Sequence, residues 1–209
     1  MADYTFFTNP MSRGQIARWA LHEAGADYDT QLVDWGNKSR DFLDTNPMGK
    51  VPTLVHHLGD HTHTITETAA ICAYLAEASA PDLLPREEER ADYLRWLFFA
   101  AGPVEQAVFV RAMGWELAEG KQMTAGFGSY DQTIDTLEQH FKDNAFTCGD
   151  RFTMADVYVG SQVIWGLQFE SIPARDAFSA YAERLTARGA YKAANAIDTK
   201  LIAEMQSND

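Results

Sequence analysis

The chain is poor in cysteine and in positive charge and has no long apolar run, and each shortage removes a class of function. Its 209 residues include two cysteines, Cys72 and Cys148. Two thiols do not make the disulfide framework that staples small secreted domains, so both are expected to be reduced. Lys and Arg together number 17 against 30 Asp and Glu, a formal net charge of −13. An acid excess of that size repels nucleic acid and anionic membrane, and neither is expected as a partner. No apolar stretch, Trp96 to Ala101 included, is long enough to span a bilayer. Residues 1–15 carry no basic-then-apolar pattern and no small-residue cleavage site, so the expected location is the cytoplasm.

Aromatic residues, by contrast, are abundant: five Trp, eight Tyr and twelve Phe. They give the fold large packing groups and leave some to line an apolar pocket. The first eighty residues alternate short extended runs with helical ones. Tyr4–Phe7 and Tyr28–Val33 read as strands, with a helix from Ser12 to Gly25 between them, carrying Ile16, Trp19, Ala20 and Glu23 at helical spacing. A short helix from Lys38 to Thr45 ends at Asn46-Pro47, because the residue before a proline avoids the helical region. Val51–Val55 and His63–Ile65 make two more strands about Leu58-Gly59-Asp60, and Glu67–Glu77 reads as a closing helix. A helical crossover implies parallel pairing of the first two strands, and a tight turn implies antiparallel pairing of the last two. The expected N-terminal domain, residues 1–79, is therefore a mixed four-stranded sheet with helices.

Two prolines within Ala80–Pro85 mark a linker, residues 80–86. Residues 87–209 read as an all-helical domain, with helices over 87–118 (kinked at Pro103), 124–143, 153–168, 174–188 and 190–206. Thr153-Met154-Ala155-Asp156 is a capping box, flanked by Phe152 and Val157 at the spacing of a hydrophobic staple. It nucleates a core helix and carries no chemistry.

The most informative stretch is Asn46-Pro47-Met48-Gly49-Lys50-Val51-Pro52-Thr53-Leu54, followed after the hairpin by Ile65-Thr66-Glu67-Thr68-Ala69-Ala70-Ile71. Proline is tolerated at the first residue of a strand. With a cis Val51-Pro52 bond, the Val51 backbone would face out of the sheet edge and could pair with an extended peptide. Glu67-Thr68 lies where strand becomes helix, so the free amides there suit a carboxylate, the Thr68 hydroxyl adds a donor, and Glu67 can meet an ammonium group. An ordinary capped helix behind a hairpin accounts for the same residues.

This stretch, the strand–helix order before it and Phe152-Thr153-Met154-Ala155-Asp156-Val157-Tyr158-Val159 after it resemble the cytosolic glutathione transferases over essentially the whole chain. The resemblance implies a thioredoxin-like N-terminal domain, an all-helical C-terminal domain that forms the second-substrate pocket, and a homodimer. It implies a cis bond at Val51-Pro52, with Val51 holding the cysteinyl backbone of glutathione and Glu67 and Thr68 its γ-glutamyl end. Thr68 stands where the family more often has serine and keeps the hydroxyl. Lys50, and Lys38 or Asn37, stand where the family reaches the glycine carboxylate; as residues alone they read equally as solvated surface groups.

A free thiol ionises near pH 8.5, so a transferase must favour the thiolate. The family does so with Tyr, Ser or Cys near the end of the first strand. Here Phe7 occupies the tyrosine position and Thr8–Gly14 contains no cysteine. Ser12 is the candidate, at a helix start where the dipole also supports an anion, with Thr8 and Asn9 as alternatives and Arg13 as a source of positive charge. Ser12-Arg13-Gly14-Gln15 also reads as a capping box, which explains Ser12 structurally. His56, His57, His61 and His63 cluster on the hairpin, but no cysteine or carboxylate completes a ligand set, and no metal is expected. On the long helix, Phe99, Pro103 and Gln106 share a face and are the candidates for the second-substrate wall. The expected function is a detoxifying glutathione S-transferase attacking an apolar electrophile. A glutathione-dependent reductase, isomerase or dehalogenase on the same site is the alternative, as is a non-catalytic binding module.

Overall fold

The computed structural model describes residues 2–207. Tyr4–Thr8 forms strand β1, whose alternate residues Tyr4, Phe6 and Thr8 are buried. Helix α1, Gly14–Glu23, crosses to β2, Tyr28–Leu32, which runs parallel to β1. Helix α2, Arg40–Thr45, starts at Ser39, whose hydroxyl accepts from the Phe42 amide at 3.3 Å. Strands β3, Thr53–Leu58, and β4, His61–Ile65, form an antiparallel hairpin, and α3 covers Thr68–Ser79. The sheet order is β2-β1-β3-β4, with β3 antiparallel to β1.

Each face of this sheet has its own cover. Helices α1 and α3 bury Ile16, Ala17, Ala20, Leu21, Ile71, Cys72, Leu75 and Ala76. On the other side Phe7 packs on Phe42 of α2, ring centroids 5.3 Å apart. Cys72 is buried and Cys148 half-buried, and both are free thiols. Burial pushes the Cys148 thiol up to about 12, so it is no thiolate at neutral pH.

The described chain packs as two compact units. One comprises the residues up to Leu84 together with those from Ala187 onward, the other Pro85–Thr186. Helix α9, Gly189–Gln206, thus departs from the expected organisation, which put residues 87–209 in one helical domain. Its partner is α1. Arg18, 1 % exposed, donates from Nε to Asp198 of α9 at 2.9 Å and from Nη1 to the Tyr28 and Thr30 hydroxyls at 3.1 and 3.2 Å. Its guanidinium also lies 5.2 Å from the Phe6 ring centroid. At the other end of the contact, Arg188 binds both carboxylate oxygens of Glu23, at 2.6 and 2.7 Å. Trp19 and Tyr191 meet edge to face between them. A buried charge is tolerated only when paired, and Asp198 is the partner that makes Arg18 tolerable in the interior.

The helical unit contains α4, Arg90–Phe99; α5, Glu105–Ala112; α6, Tyr130–Asp143; α7, Met154–Gln168; and α8, Asp176–Thr186. The helix expected over 87–118 covers 90–112. Ala100–Val104 is π-helical around Pro103, whose nitrogen has no hydrogen to donate, and the helix ends at Met113, before Gly114 at φ 64°. The segment from Thr124 to Ser129, also expected as helix, is a loop. The Thr153–Asp156 capping box is present, and the Asp156 carboxylate also accepts from the Thr147 amide at 2.6 Å and the Tyr181 hydroxyl at 2.8 Å. Burial raises the Asp156 pKa while these donors pull it down.

Candidate functional site

Register gathers the candidate segments of the first unit at one end of its sheet. Thr8 lies beside Leu32, Phe7 opposite Thr53, and Leu54 opposite Ile65. The carboxyl ends of β1, β2 and β4 and the amino end of β3 therefore coincide. From that end spring the loop Asn9–Arg13, the segment carrying Lys38, the turn with Val51-Pro52, and the start of α3 at Glu67-Thr68.

The first loop is closed on itself. Asn9 is buried, donates from Nδ2 to the Val33 carbonyl at 3.1 Å, and accepts the Met11 amide at 3.0 Å. The Ser12 hydroxyl donates to the Asn9 carbonyl at 2.6 Å and accepts from the Gly14 amide at 3.0 Å. This differs from the capping box expected of Ser12 and Gln15. The residue that enters α1 is Arg13, already at a helical φ of −58°, and the Gln15 carboxamide reaches the Pro10 carbonyl at 2.5 Å. Thr8 is wholly buried beneath Gly14: a Cβ at residue 14 would lie 1.9 Å from the Thr8 Oγ1. Among the described residues that hydroxyl has no hydrogen-bond partner. Of the three candidate thiol partners, only half-buried Ser12 has a hydroxyl that is not enclosed by the fold.

The proline turn is ordered by a residue read from sequence only as a helix stop. Buried Asn46 donates from Nδ2 to the Lys50 carbonyl at 3.0 Å and to the Thr53 hydroxyl at 2.9 Å, while its Oδ1 accepts the Met48 amide at 3.1 Å. Thr53 donates to the same Lys50 carbonyl at 3.0 Å. The Val51-Pro52 bond is cis. Val51 precedes β3, and among the described residues its N–H and C=O have no hydrogen-bond partner. Lys38, expected to open the short helix, lies before its Ser39 cap and reaches this turn: its Nζ lies 3.3 Å from where a Cβ on Gly49 would sit, one residue before Lys50. A side chain at Gly49, itself at φ 59°, would block that approach.

At the start of α3 the outcome separates the two sequence readings. Glu67 holds φ 63° and ψ 114°, a backbone state that non-glycine residues rarely adopt, and no side chain caps the helix. The Ile71 amide bonds the Glu67 carbonyl at 2.9 Å, and the three amides before it lie in the first turn without an intrahelical acceptor. Thr68 is buried and Glu67 exposed. This is a strained, uncapped helix start, not an ordinary capped one.

Residues 11–78 match the family described as glutathione S-transferase, N-terminal domain, and residues 120–165 match glutathione S-transferase, C-terminal domain. Glutathione S-transferase 1 of Schizosaccharomyces pombe is 32% identical over 173 residues, covering 77% of this chain and 72% of that protein. The chain belongs to the glutathione S-transferase family. Among solved structures, a glutathione transferase from Methylococcus capsulatus superposes with a TM-score of 0.75 at 29% identity, covering 94% of this chain and 98% of that one. A sphingomonad glutathione S-transferase in complex with glutathione gives 0.73 at 27%, covering 93% and 98%. The fold is thus that of the family, with a thioredoxin-like N-terminal domain and a helical C-terminal domain.

In this transferase the remaining candidates fall in separate places. The hairpin histidines divide between the sheet faces. The Nδ1 of His56 lies 2.9 Å from the Tyr74 hydroxyl and its ring stacks on Tyr4, while the Nε2 of His57 lies 2.9 Å from the Thr5 hydroxyl. His63 pairs across from His56 on the exposed edge strand. In the helical unit, Phe99 and Pro103 line a cavity of about 380 Å³ with the loop before α6. Gln106 adjoins it, its Oε1 3.9 Å from where a Cβ on Gly126 would sit.

Proposed function

We propose that this protein is a glutathione S-transferase that binds glutathione at the shared end of the N-terminal sheet and directs its thiolate at an apolar electrophile. The observation that carries the reading is the uncapped start of α3. A strained Glu67 and free first-turn amides persist where the surrounding structure holds them, and such outliers cluster at ligand sites. In this reading the α3 amides and Thr68 hold the α-carboxylate of the γ-glutamyl group, and Glu67 meets its ammonium. The Val51 backbone, next to Pro52, pairs with the cysteinyl backbone, and Lys38 and Lys50 hold the glycine carboxylate. The register that brings these segments together supports the assignment.

Glutathione supplies the nucleophile: a sulfur–carbon bond forms, the bond to the leaving group breaks, and the thiol proton passes to solvent. What the chain contributes is a preorganised set of donors for the sulfur anion. Ser12 is preferred over Asn9, whose carboxamide is held by the Val33 carbonyl and the Met11 amide, and over Thr8, which is enclosed under Gly14. Turning the Ser12 hydroxyl from the Asn9 carbonyl to the sulfur lets it keep the Gly14 amide as its own donor. Arg13 adds positive charge at the same helix start. Phe99, Pro103 and Gln106 serve the electrophile. The reading includes a cytoplasmic, detoxifying homodimer and requires no metal; no helix of the described residues is long and apolar enough to cross a membrane.

Titration calorimetry with glutathione tests the binding half, with binding by wild type and about 10- to 30-fold weaker binding by Glu67→Ala as the expected result. The ultraviolet band of the bound thiolate tests the chemistry: an unchanged band in Ser12→Ala removes Ser12 from its role. Turnover of peroxides or mixed disulfides but of no electrophile would replace transfer by reduction.

A further inference from the structure

Thr8 carries a polar group that the fold does not use. As the last residue of β1 it faces the buried side with Tyr4 and Phe6. Its backbone carbonyl accepts the Val33 amide at 2.8 Å, so the chain is pinned there. The side chain is wholly enclosed, yet among the described residues its Oγ1 has no hydrogen-bond partner. A buried hydroxyl without a partner costs free energy that a valine of the same shape would not. Folding alone therefore gives no reason for threonine at this position.

Gly14 has a matching peculiarity. It opens α1 without a left-handed φ, so its backbone does not call for glycine, and alanine is the better helix former. What glycine provides is space. The point a Cβ would occupy lies 1.9 Å from the Thr8 Oγ1 and 3.1 Å from the Ser12 Oγ. Both hydroxyls border one gap, and the missing side chain keeps it open. Ser12 donates its one proton to the Asn9 carbonyl at 2.6 Å and accepts the Gly14 amide at 3.0 Å. One lone pair of its oxygen is left over, and Thr8 holds a donor with no acceptor. Hydrogen bonds in a chain polarise one another, so a second donor to Ser12 strengthens the bond that Ser12 makes.

We propose that Thr8 is a positioning residue: across the gap at Gly14 its hydroxyl becomes the second donor to the Ser12 Oγ when Ser12 turns to the glutathione sulfur. Thr8 touches neither glutathione nor the electrophile. No proton changes owner; the Gly14 amide and the Thr8 hydroxyl donate to Ser12, and Ser12 donates to the sulfur anion. The inference rests on the transferase reading above, with Ser12 as its thiol partner.

The thiolate band of glutathione bound at saturation, followed against pH, tests it. Thr8→Val removes the hydroxyl and keeps the shape. The midpoint of the band should rise by about half a pH unit, as the loss of one bond from a chain implies. Stability to urea should hold or increase, because an unpartnered buried hydroxyl is gone. Thr8→Ser should keep the wild-type midpoint. Thr8→Ala cannot overpack, and its difference from Thr8→Ser reads the hydroxyl alone should the valine fail to fold. In a Ser12→Ala background, Thr8→Val should leave the midpoint where Ser12→Ala alone puts it. A midpoint unmoved in Thr8→Val and Thr8→Ala, with Ser12→Ala still raising it, overturns the role of Thr8 alone. An equal rise with and without the Ser12 hydroxyl also overturns it, since Thr8 would then act by another route. Failure of wild type to bind glutathione overturns the transferase reading and this inference with it.

Discussion

Two segments at the same end of the N-terminal sheet treat their polar groups in opposite ways. The loop from Asn9 to Arg13 satisfies its own polar side chains: Asn9 and Ser12, with Gln15 of α1, are all bonded to loop backbone or to Val33, just past β2. The start of α3 and the edge at Val51 leave amides and carbonyls without protein partners and accept a strained Glu67. A self-satisfied loop is a scaffold that must be disturbed before it acts. An unsatisfied edge is a receptor waiting for a complementary chain. In the proposed reading, binding belongs to the edge, and any chemistry at the loop depends on one hydroxyl changing partner.

The largest expected effect attacks the scaffold. Gly14→Val places a side chain where Thr8 already stands, and overpacking of this kind costs roughly 3 kcal/mol or more. Urea unfolding should show that loss, with glutathione affinity falling in parallel because the loop can no longer close. Asn46→Ala comes next, at about 2 kcal/mol, since it removes three hydrogen bonds and unties the proline turn. Glu67 should separate binding from folding. Glu67→Ala is expected to weaken glutathione about 10- to 30-fold in calorimetry, the worth of a hydrogen bond to a charged group. Glu67→Gly should weaken it similarly while raising unfolding stability by about 1 kcal/mol, because glycine adopts φ 63° without strain. A Glu67→Gly protein no more stable than wild type would contradict the claim of stored strain. The smallest change in stability, about 1 kcal/mol or less, is expected from Ser12→Ala. Its effect should appear instead as a raised pKa of the bound thiol, read from the pH dependence of the thiolate band. A Ser12 variant that changes only stability would leave the loop as scaffold alone.

Much of this arrangement is legible in the sequence because it is local. Strand order follows from short and long connections, and the turn at Val51-Pro52 and the start of α3 announce themselves by proline and by the strand-to-helix junction. The Ser12 box misleads because four residues fit a capping pattern while the chain is already helical at Arg13 and the Pro10 carbonyl claims Gln15. Periodicity alone cannot register the π-helical segment at Pro103, since apolar spacing continues through it; Gly114 was the visible stop. Asn46 was legible as punctuation but not as the tie of its loop, because its partners Lys50 and Thr53 are set by how the chain returns. The affiliation of α9 was hidden for a different reason. An amphipathic helix states that it buries one face, and nothing within it names a partner 180 positions away.

That distance bears on how the protein is made. Arg18 is synthesised together with the sheet it packs against, yet its counter-charge sits in α9, 180 positions later. Until then the N-terminal unit holds an uncompensated cation in its interior, whereas Pro85–Thr186, uninterrupted in sequence, has all its helices available sooner. Vectorial synthesis therefore favours the middle of the chain maturing before its beginning. A nascent protein stalled short of Asp198 would carry a finished helical unit behind a half-folded one.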